Sequence, residues 1–308
     1  MRRARAQKKF RREDITLCLM ASPALLALIV FAYLPMVGLI MAFQNYNIHL
    51  GLFGSPFVGL KNFSFLFTTS DAFVITRNTV LYNLAFIVVN MIFALIFSIM
   101  LSMLRNQRGA KFIQTIYMLP YFLSWAVLGI VLQAFLNRGN GLINGIIGSL
   151  GGAGRTNWYQ TIQLWPPLLV FLNAWKGVGF STVLYLAVIT GIPVEYYEAS
   201  VIDGAGRWKQ VLHITLPHLR FVIGISIILA MGSIFRADFG LFYIMTDNSG
   251  PLYPVTDVID TYIYRGLMNA NNVGMSTAAG LYQSVVGFVL VLAANAVVTK
   301  IDHDSAMF

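Results

Sequence analysis

The sequence predicts an all-α, polytopic membrane protein with about six transmembrane helices, and three observations carry that expectation. Fifty-seven per cent of the chain is hydrophobic and only 11% is charged, with a mean hydropathy of +0.71. A soluble domain is typically about a quarter charged, so too few polar residues remain to coat a water-facing surface. Apolar stretches of roughly the 20 residues needed to cross a bilayer core recur along the chain. The basic residues are clustered as well: seven of the 21 Lys and Arg fall in the first twelve positions. That clustering assigns the net charge of +9 to a membrane face rather than to nucleic acid.

Six stretches qualify as spans: 15–43, 78–104, 112–135, 166–190, 219–235 and 278–299. The first has the basic start of a secretory signal. It is longer than the usual apolar region of such a signal, and no small-x-small cleavage site follows, so it is expected to remain as a span. Pro35 in the first span, and Gly177 and Gly179 in the fourth, are expected kinks, since membrane helices tolerate such residues where neighbours satisfy the freed backbone. The fifth stretch is the shortest. Cys18 is the single cysteine, which excludes an intramolecular disulfide framework or a Cys-based zinc cluster. The four histidines, His49, His213, His218 and His303, are assigned to loops or tails and form no metal-ligand set.

With the N-terminus in the cytoplasm, the inside segments hold fourteen Lys and Arg and the outside segments six, leaving Lys176 within a span. The positive-inside rule then makes both termini cytoplasmic. The division is a basic tail over 1–14, a transmembrane domain over 15–300 and a short tail over 301–308. The long outer connections, 44–77, 136–165 and 236–277, are rich in Gly, Asn, Pro and aromatics. Phe53, Phe57, Phe63, Phe65 and Phe67 make the first too apolar for a solvated linker, and it is expected to pack against the outer helix ends.

The long cytoplasmic connection, 193–217, is the most informative stretch. Pro193 suits the start of a helix, with Glu195 and Glu198 near its positive end. Asp203-Gly204-Ala205-Gly206 then stops that helix. A second short helix is expected over 207–213, with Trp208, Val211 and Leu212 on one face, and Pro217 is expected to open the next span. Two short helices around a glycine turn, with an apolar knob facing water, form a docking site for a partner protein.

These residues resemble the EAA loop of ABC-importer permeases: Glu198-Ala199-Ser200, then Gly204, then Ile214-x-Leu216-Pro217. Ser200 stands where the motif has a second Ala. Asp203-Gly204-Ala205 and Trp208 are similar to the form found in carbohydrate importers. Tyr33-x-Pro35-Met36-x-Gly38, Gly59-Leu60-x-Asn62-Phe63, Leu119-Pro120-Tyr121-Phe122 and the segment from Val258 to Arg265 extend the likeness, toward the subgroup importing oligosaccharides cut from polysaccharides. The resemblance implies a type I ABC-importer permease bundle in a bacterial cytoplasmic (inner) membrane. It also implies a second homologous permease that is a different chain; two ABC ATPase subunits; an extracytoplasmic solute-binding protein; and surrounding lipid. In the family reading Glu198, Ala199, Asp203, Gly204, Trp208, Val211, Leu212, Leu216 and Pro217 couple to the ATPase, with Trp208, Val211 and Leu212 filling its groove.

None of the seven lysines follows a glycine, so there is no Walker A loop. The chain is therefore expected to be a conduit rather than an enzyme, with no cofactor of its own and ATP and Mg held on the partner subunits. Charges at membrane depth are costly and usually face a cavity. Lys176 is the clearest case. With Asn173, Trp175, Arg236, Asp238, Tyr243, Tyr282 and Gln283 it offers the aromatic faces and hydrogen-bonding groups of a sugar pathway. Lys176 and Arg236 together suggest, more narrowly, an acidic sugar. The alternatives are an ABC permease for a non-sugar solute, such as glycerol phosphate or a polyamine, and an ion-coupled secondary transporter. The latter usually shows inverted repeats and buried acidic coupling residues, and no span here has a central Asp or Glu.

Overall fold

The computed structural model describes residues 12–152, 155–268 and 272–301. The basic stretch over 1–11 and the tail over 302–308, with His303, lie outside the described residues. Among the described residues, five helices are long and apolar enough to cross a membrane, and there are six spans if a helix pair bent by 94° counts as one. The only strand-like feature among them is one isolated bridge, Gln44 to Phe57.

The first span opens with α1 (Arg12–Leu28), tightens through a π turn at Ile29–Tyr33 and ends in a 3₁₀ run, Leu34–Phe43. Pro35 lies at the start of that run, so the expected irregularity is present as a change of helix type. The span is exposed over most of its length and packs near Met41–Gln44, against the last helix. The expected packing of the first outer connection is present in part. Phe65 is buried, Phe43 stacks with Phe57 and lies tilted against Phe63, and Asn62 Nδ2 donates to the carbonyls of Ala42 and Gln44 at 2.9 and 2.8 Å. Phe53 and Phe67 are exposed.

The second span is α2 (Ser70–Ser102), starting earlier than its apolar run because Thr69 is extended and Asp71 lies in the helix's first, positive turn. The third span is not one helix. It divides into α3 (Gln107–Phe122) and α4 (Trp125–Leu136), bent by 94°. Pro120 weakens the end of α3, Leu123 and Ser124 are both extended, and the Ser124 hydroxyl accepts from Val127 N to cap α4. The fourth span, α5 (Trp165–Thr190), runs without a break through Gly177 and Gly179. Gly179 instead permits a close approach, since a Cβ there would lie 2.4 Å from the carbonyl oxygen of Tyr117 on α3.

After α6 (Val194–Ile202), the second loop helix and the fifth span form one helix, α7 (Arg207–Met231). The expected separation at Pro217 is absent because a π turn at Val211–Thr215 precedes the proline and Leu216 N bonds to Val211 O. His213 and His218 therefore lie on a helix, not in a loop, with Nδ1 of each against a carbonyl one turn back. The outer connection that follows contains α8 (Ile259–Met268), and the last span is α9 (Val273–Ile301).

The bundle centres on α2 and α5. Asn90 Nδ2 donates to Asn173 Oδ1 at 2.8 Å between them, beside Gly177. In a bilayer, apolar burial alone gives helices little reason to associate. Small residues and interhelical hydrogen bonds supply the preference, at about 0.6–2 kcal/mol per bond. Toward the side assigned outside, Trp165, Leu169, Leu241, Leu252 and Val258 form a fully buried core.

Candidate functional site

The 193–217 loop is built from its turn outward. Helix α6 ends in a glycine stop: Ala205 N bonds to Ser200 O, Gly204 N bonds to Val201 O, and Gly204 has φ +75°. That is a Schellman arrangement, which satisfies the last carbonyls and favours glycine at the left-handed position. Gln210 Nε2 donates to Ser200 Oγ at 2.9 Å, and Ser200 Oγ donates to Tyr197 O at 2.7 Å. The Tyr197 and Thr215 hydroxyls lie 3.1 Å apart, and the Tyr196 and His218 rings are in contact. The loop is thereby fastened to the base of α7.

Among the residues assigned to coupling, Glu198, Ala199, Asp203, Gly204 and Pro217 are exposed, Leu216 is half-buried, and Trp208 is 72% exposed. Leu212 is exposed too, whereas Val211 is 3% exposed and packs within this chain. Val211 lies at the inner edge of that helical face, where the chain itself covers it, so it is removed from the proposed knob. Ile202 (87% exposed) and Val201 are further exposed apolar side chains of the loop. Their place beside the glycine stop was a readable signal.

The eight pathway candidates do not share one cavity. Trp175 lines an apolar groove of about 1050 Å³ between α2, α3 and α5, with Phe93, Phe97 and Phe171 among its walls; the other seven do not line it. Asn173 is committed to Asn90. Tyr282 packs on Phe235, with its hydroxyl 3.5 Å from that of Thr76. Gln283 Nε2 donates to Phe235 O at 2.5 Å and to Asp260 Oδ2 at 3.0 Å. Those two residues hold the segment that follows α7, together with Asn83, which donates to Ile234 O, and Ala237 N, which donates to Asp260.

That segment carries the remaining candidates. Asp238 accepts from Trp125 Nε1 at 2.7 Å and from the backbone of Gly240 at 3.0 Å. Arg236 is exposed and makes no ion pair with Asp238. Tyr243 stacks on Phe239 at 4.8 Å, and both contact Tyr264. Lys176 Nζ donates to Tyr121 O at 2.7 Å and lies over the rings of Tyr121 and Trp125. The result is a cluster of one cation, one carboxylate and several aromatic faces at the break between α3 and α4, with Lys176 and Trp125 half-buried and Asp238 and Tyr121 exposed. Trp125, Asp260 and Tyr264 escaped the sequence reading. The latter two lie within the Val258–Arg265 segment already noted for its likeness, and Trp125 follows a capping serine.

A deeper clamp stabilises the outer connection. Arg265 pairs with Asp257 and lies 4.1 Å above the Tyr253 ring. Burial pushes the Asp257 carboxyl above its ordinary range, while the Thr261 hydroxyl and the Arg265 guanidinium draw it part of the way back. Burial likewise raises Asp260, opposed by the Ala237 N–H and Gln283. Among the described residues, no group of His, Cys, Asp and Glu is placed to hold a metal.

Comparison with known proteins agrees with this architecture. Residues 94–303 match the family model described as "Binding-protein-dependent transport system inner membrane component". Protein LplB of Bacillus subtilis (strain 168) is 34% identical over 95% of this chain and 91% of its own length. The polygalacturonan/rhamnogalacturonan transport system permease protein YteP of the same organism is 33% identical over 94% of this chain and 89% of its own. A chain in the crystal structure of a bacterial alginate ABC transporter, in complex with an alginate pentasaccharide-bound periplasmic protein, superposes with a TM-score of 0.84. It is 28% identical and covers 97% of this chain and 98% of its own. The bent pair, the exposed loop and these matches converge: the chain belongs to the family of inner membrane components of binding-protein-dependent transport systems.

Proposed function

We propose that this chain is the permease subunit of an ATP-driven, binding-protein-dependent importer for oligosaccharides. It forms the translocation pathway with a second, homologous permease and takes its driving force from two ATPase subunits docked at the 193–217 loop. The orientation follows from the charge bias, with both termini and this loop in the cytoplasm. The observation that carries the reading is the loop itself: a glycine-stopped helix pair presenting Trp208, Leu212 and Ile202 to solvent and continuing unbroken into a span. An exposed apolar knob held rigid from behind is suited to a partner's groove. Movement of the docked loop would be carried along α7 toward the Lys176–Asp238 cluster, exposing it alternately to the two sides.

Affinity purification from the native membrane in mild detergent tests this. Expected is co-recovery of a P-loop ATPase and a second permease, with the ATPase lost on replacing Gly204 by Val or Trp208 by Ala. A clean monomer or homodimer without an ATPase would favour a secondary transporter.

A narrower reading is an acidic oligosaccharide. Lys176 brings positive charge to that cluster and the exposed Arg236 lies two residues before Asp238, neither in an ion pair among the described residues. The similar YteP is named for polygalacturonan, and the similar crystal structure for alginate. A reconstituted complex is expected to import an oligouronate in preference to a neutral oligosaccharide of equal length. Equal rates would sink this reading and leave the permease assignment intact.

A further inference from the structure

The break between α3 and α4 is where three spans meet, and one side chain touches both of its ends. Tyr121 O, which receives the Lys176 ammonium, is among the last carbonyls of α3, and such carbonyls have no partner within their own helix. The same ammonium lies 5.5 Å from the centre of the Tyr121 ring and 5.3 Å from that of Trp125, the first residue of α4. Trp125 in turn bonds to Asp238, and its ring fills the space above Gly240, where a Cβ would come within 2.2 Å. An unbroken run of contacts therefore passes from α5, through the break, to the segment leaving α7.

We propose that Lys176 is a positioning residue: it pins the angle between α3 and α4, and through Trp125 and Asp238 joins that angle to the outer end of α7. What the pin moves rests on the permease reading above; the pin itself does not. Leu123 and Ser124 are extended, so no backbone helix bond carries the bend, and its angle is set by what packs around it. A cation at a helix C-terminus complements the dipole, and two aromatic faces hold the same charge. Arginine can reproduce both interactions; methionine matches the length and supplies neither.

The test uses the assembled complex in lipid nanodiscs, with Cys18→Ser and spin labels at the exposed positions Ile113 on α3 and Val131 on α4. Expected is a narrow distance distribution that K176M broadens, with sugar uptake falling about tenfold, the scale of a typical coupling between sites. K176R is expected to keep both. An unchanged distribution in K176M overturns the pin. If, with the distribution unchanged, uptake of an oligouronate alone falls, Lys176 is a substrate contact instead. W125F keeps a ring and removes the N–H, and is expected to give a smaller broadening. Should K176M fail to assemble, an unchanged W125F distribution overturns the proposal in its place. A wild-type complex with a narrow distribution and no sugar uptake would defeat the permease reading and leave the pin standing.

Discussion

Gly177 and Gly179, two residues apart on α5, show how differently two glycines can serve one helix. A Cβ at position 179 would sit 2.4 Å from Tyr117 O and 3.0 Å from Met118 Cα, backbone atoms that cannot turn aside. Gly179→Ala is expected to cost about 1–3 kcal/mol through overpacking, read as a lower melting temperature in detergent. At position 177 the nearest atom is 3.6 Å away, an ordinary contact, so Gly177→Ala should be nearly neutral. Equal melting temperatures for the two variants would contradict the close approach of α3 to α5. Ser200 makes a second residue-scale case. It departs from the family's alanine, yet its hydroxyl receives Gln210 and bonds to Tyr197 O. Ser200→Ala should weaken the loop by about 1 kcal/mol, visible as faster amide exchange over 193–217.

At the scale of elements, α7 is the informative one. Helical periodicity put Trp208, Val211 and Leu212 on one face, but Val211 is buried within this chain while Trp208 and Leu212 stay exposed. The two side chains should therefore separate by phenotype. Trp208→Ala is expected to weaken ATPase association at least tenfold, or about 1.4 kcal/mol, with an unchanged melting temperature. Val211→Ala should leave association intact and cost about 1–2 kcal/mol of stability. If Val211→Ala weakened association while leaving the melting temperature alone, the inward placement would be refuted. The π turn at Val211–Thr215 lets the loop and the fifth span act as one rod despite Pro217.

For the whole molecule, the Arg265–Asp257 clamp ties α8 to the outer core. Arg265→Met would leave a buried carboxylate unpaired, expected to cost about 3–5 kcal/mol near pH 7. The sign with pH follows from burial: a carboxyl raised above its ordinary value penalises the fold while ionised and is relieved as pH falls and it takes up a proton. The gap in melting temperature between wild type and Arg265→Met should thus narrow from pH 7.5 to pH 5. A gap that widened would show that Arg265 does not act by neutralising Asp257.

The span count, the charge asymmetry, the glycine stop at Gly204 and the exposure of Trp208 were legible in the sequence, because hydropathy, charge and turn chemistry are local properties. The Ser124 cap was legible in principle, since a serine before an apolar run is a helix-start signal, but it was hidden inside a continuous apolar stretch. The pathway residues were not legible as a set. Composition marked Lys176, Gln283 and Asn173 as polar groups within spans and Asp238 as a charge at the outer end of one, and only their partners show which of them hold helices together. Asn173 is answered by Asn90, 83 positions away, and Gln283 by Phe235 and Asp260. By itself the sequence determined that this chain crosses a membrane about six times and carries one long connection with a glycine-stopped helix, since each apolar run must leave water wherever it lies. Only the tertiary structure decided that the third span breaks, that the fifth does not, and that Lys176 lies at the break, because each depends on which backbone comes within about 3 Å of which side chain.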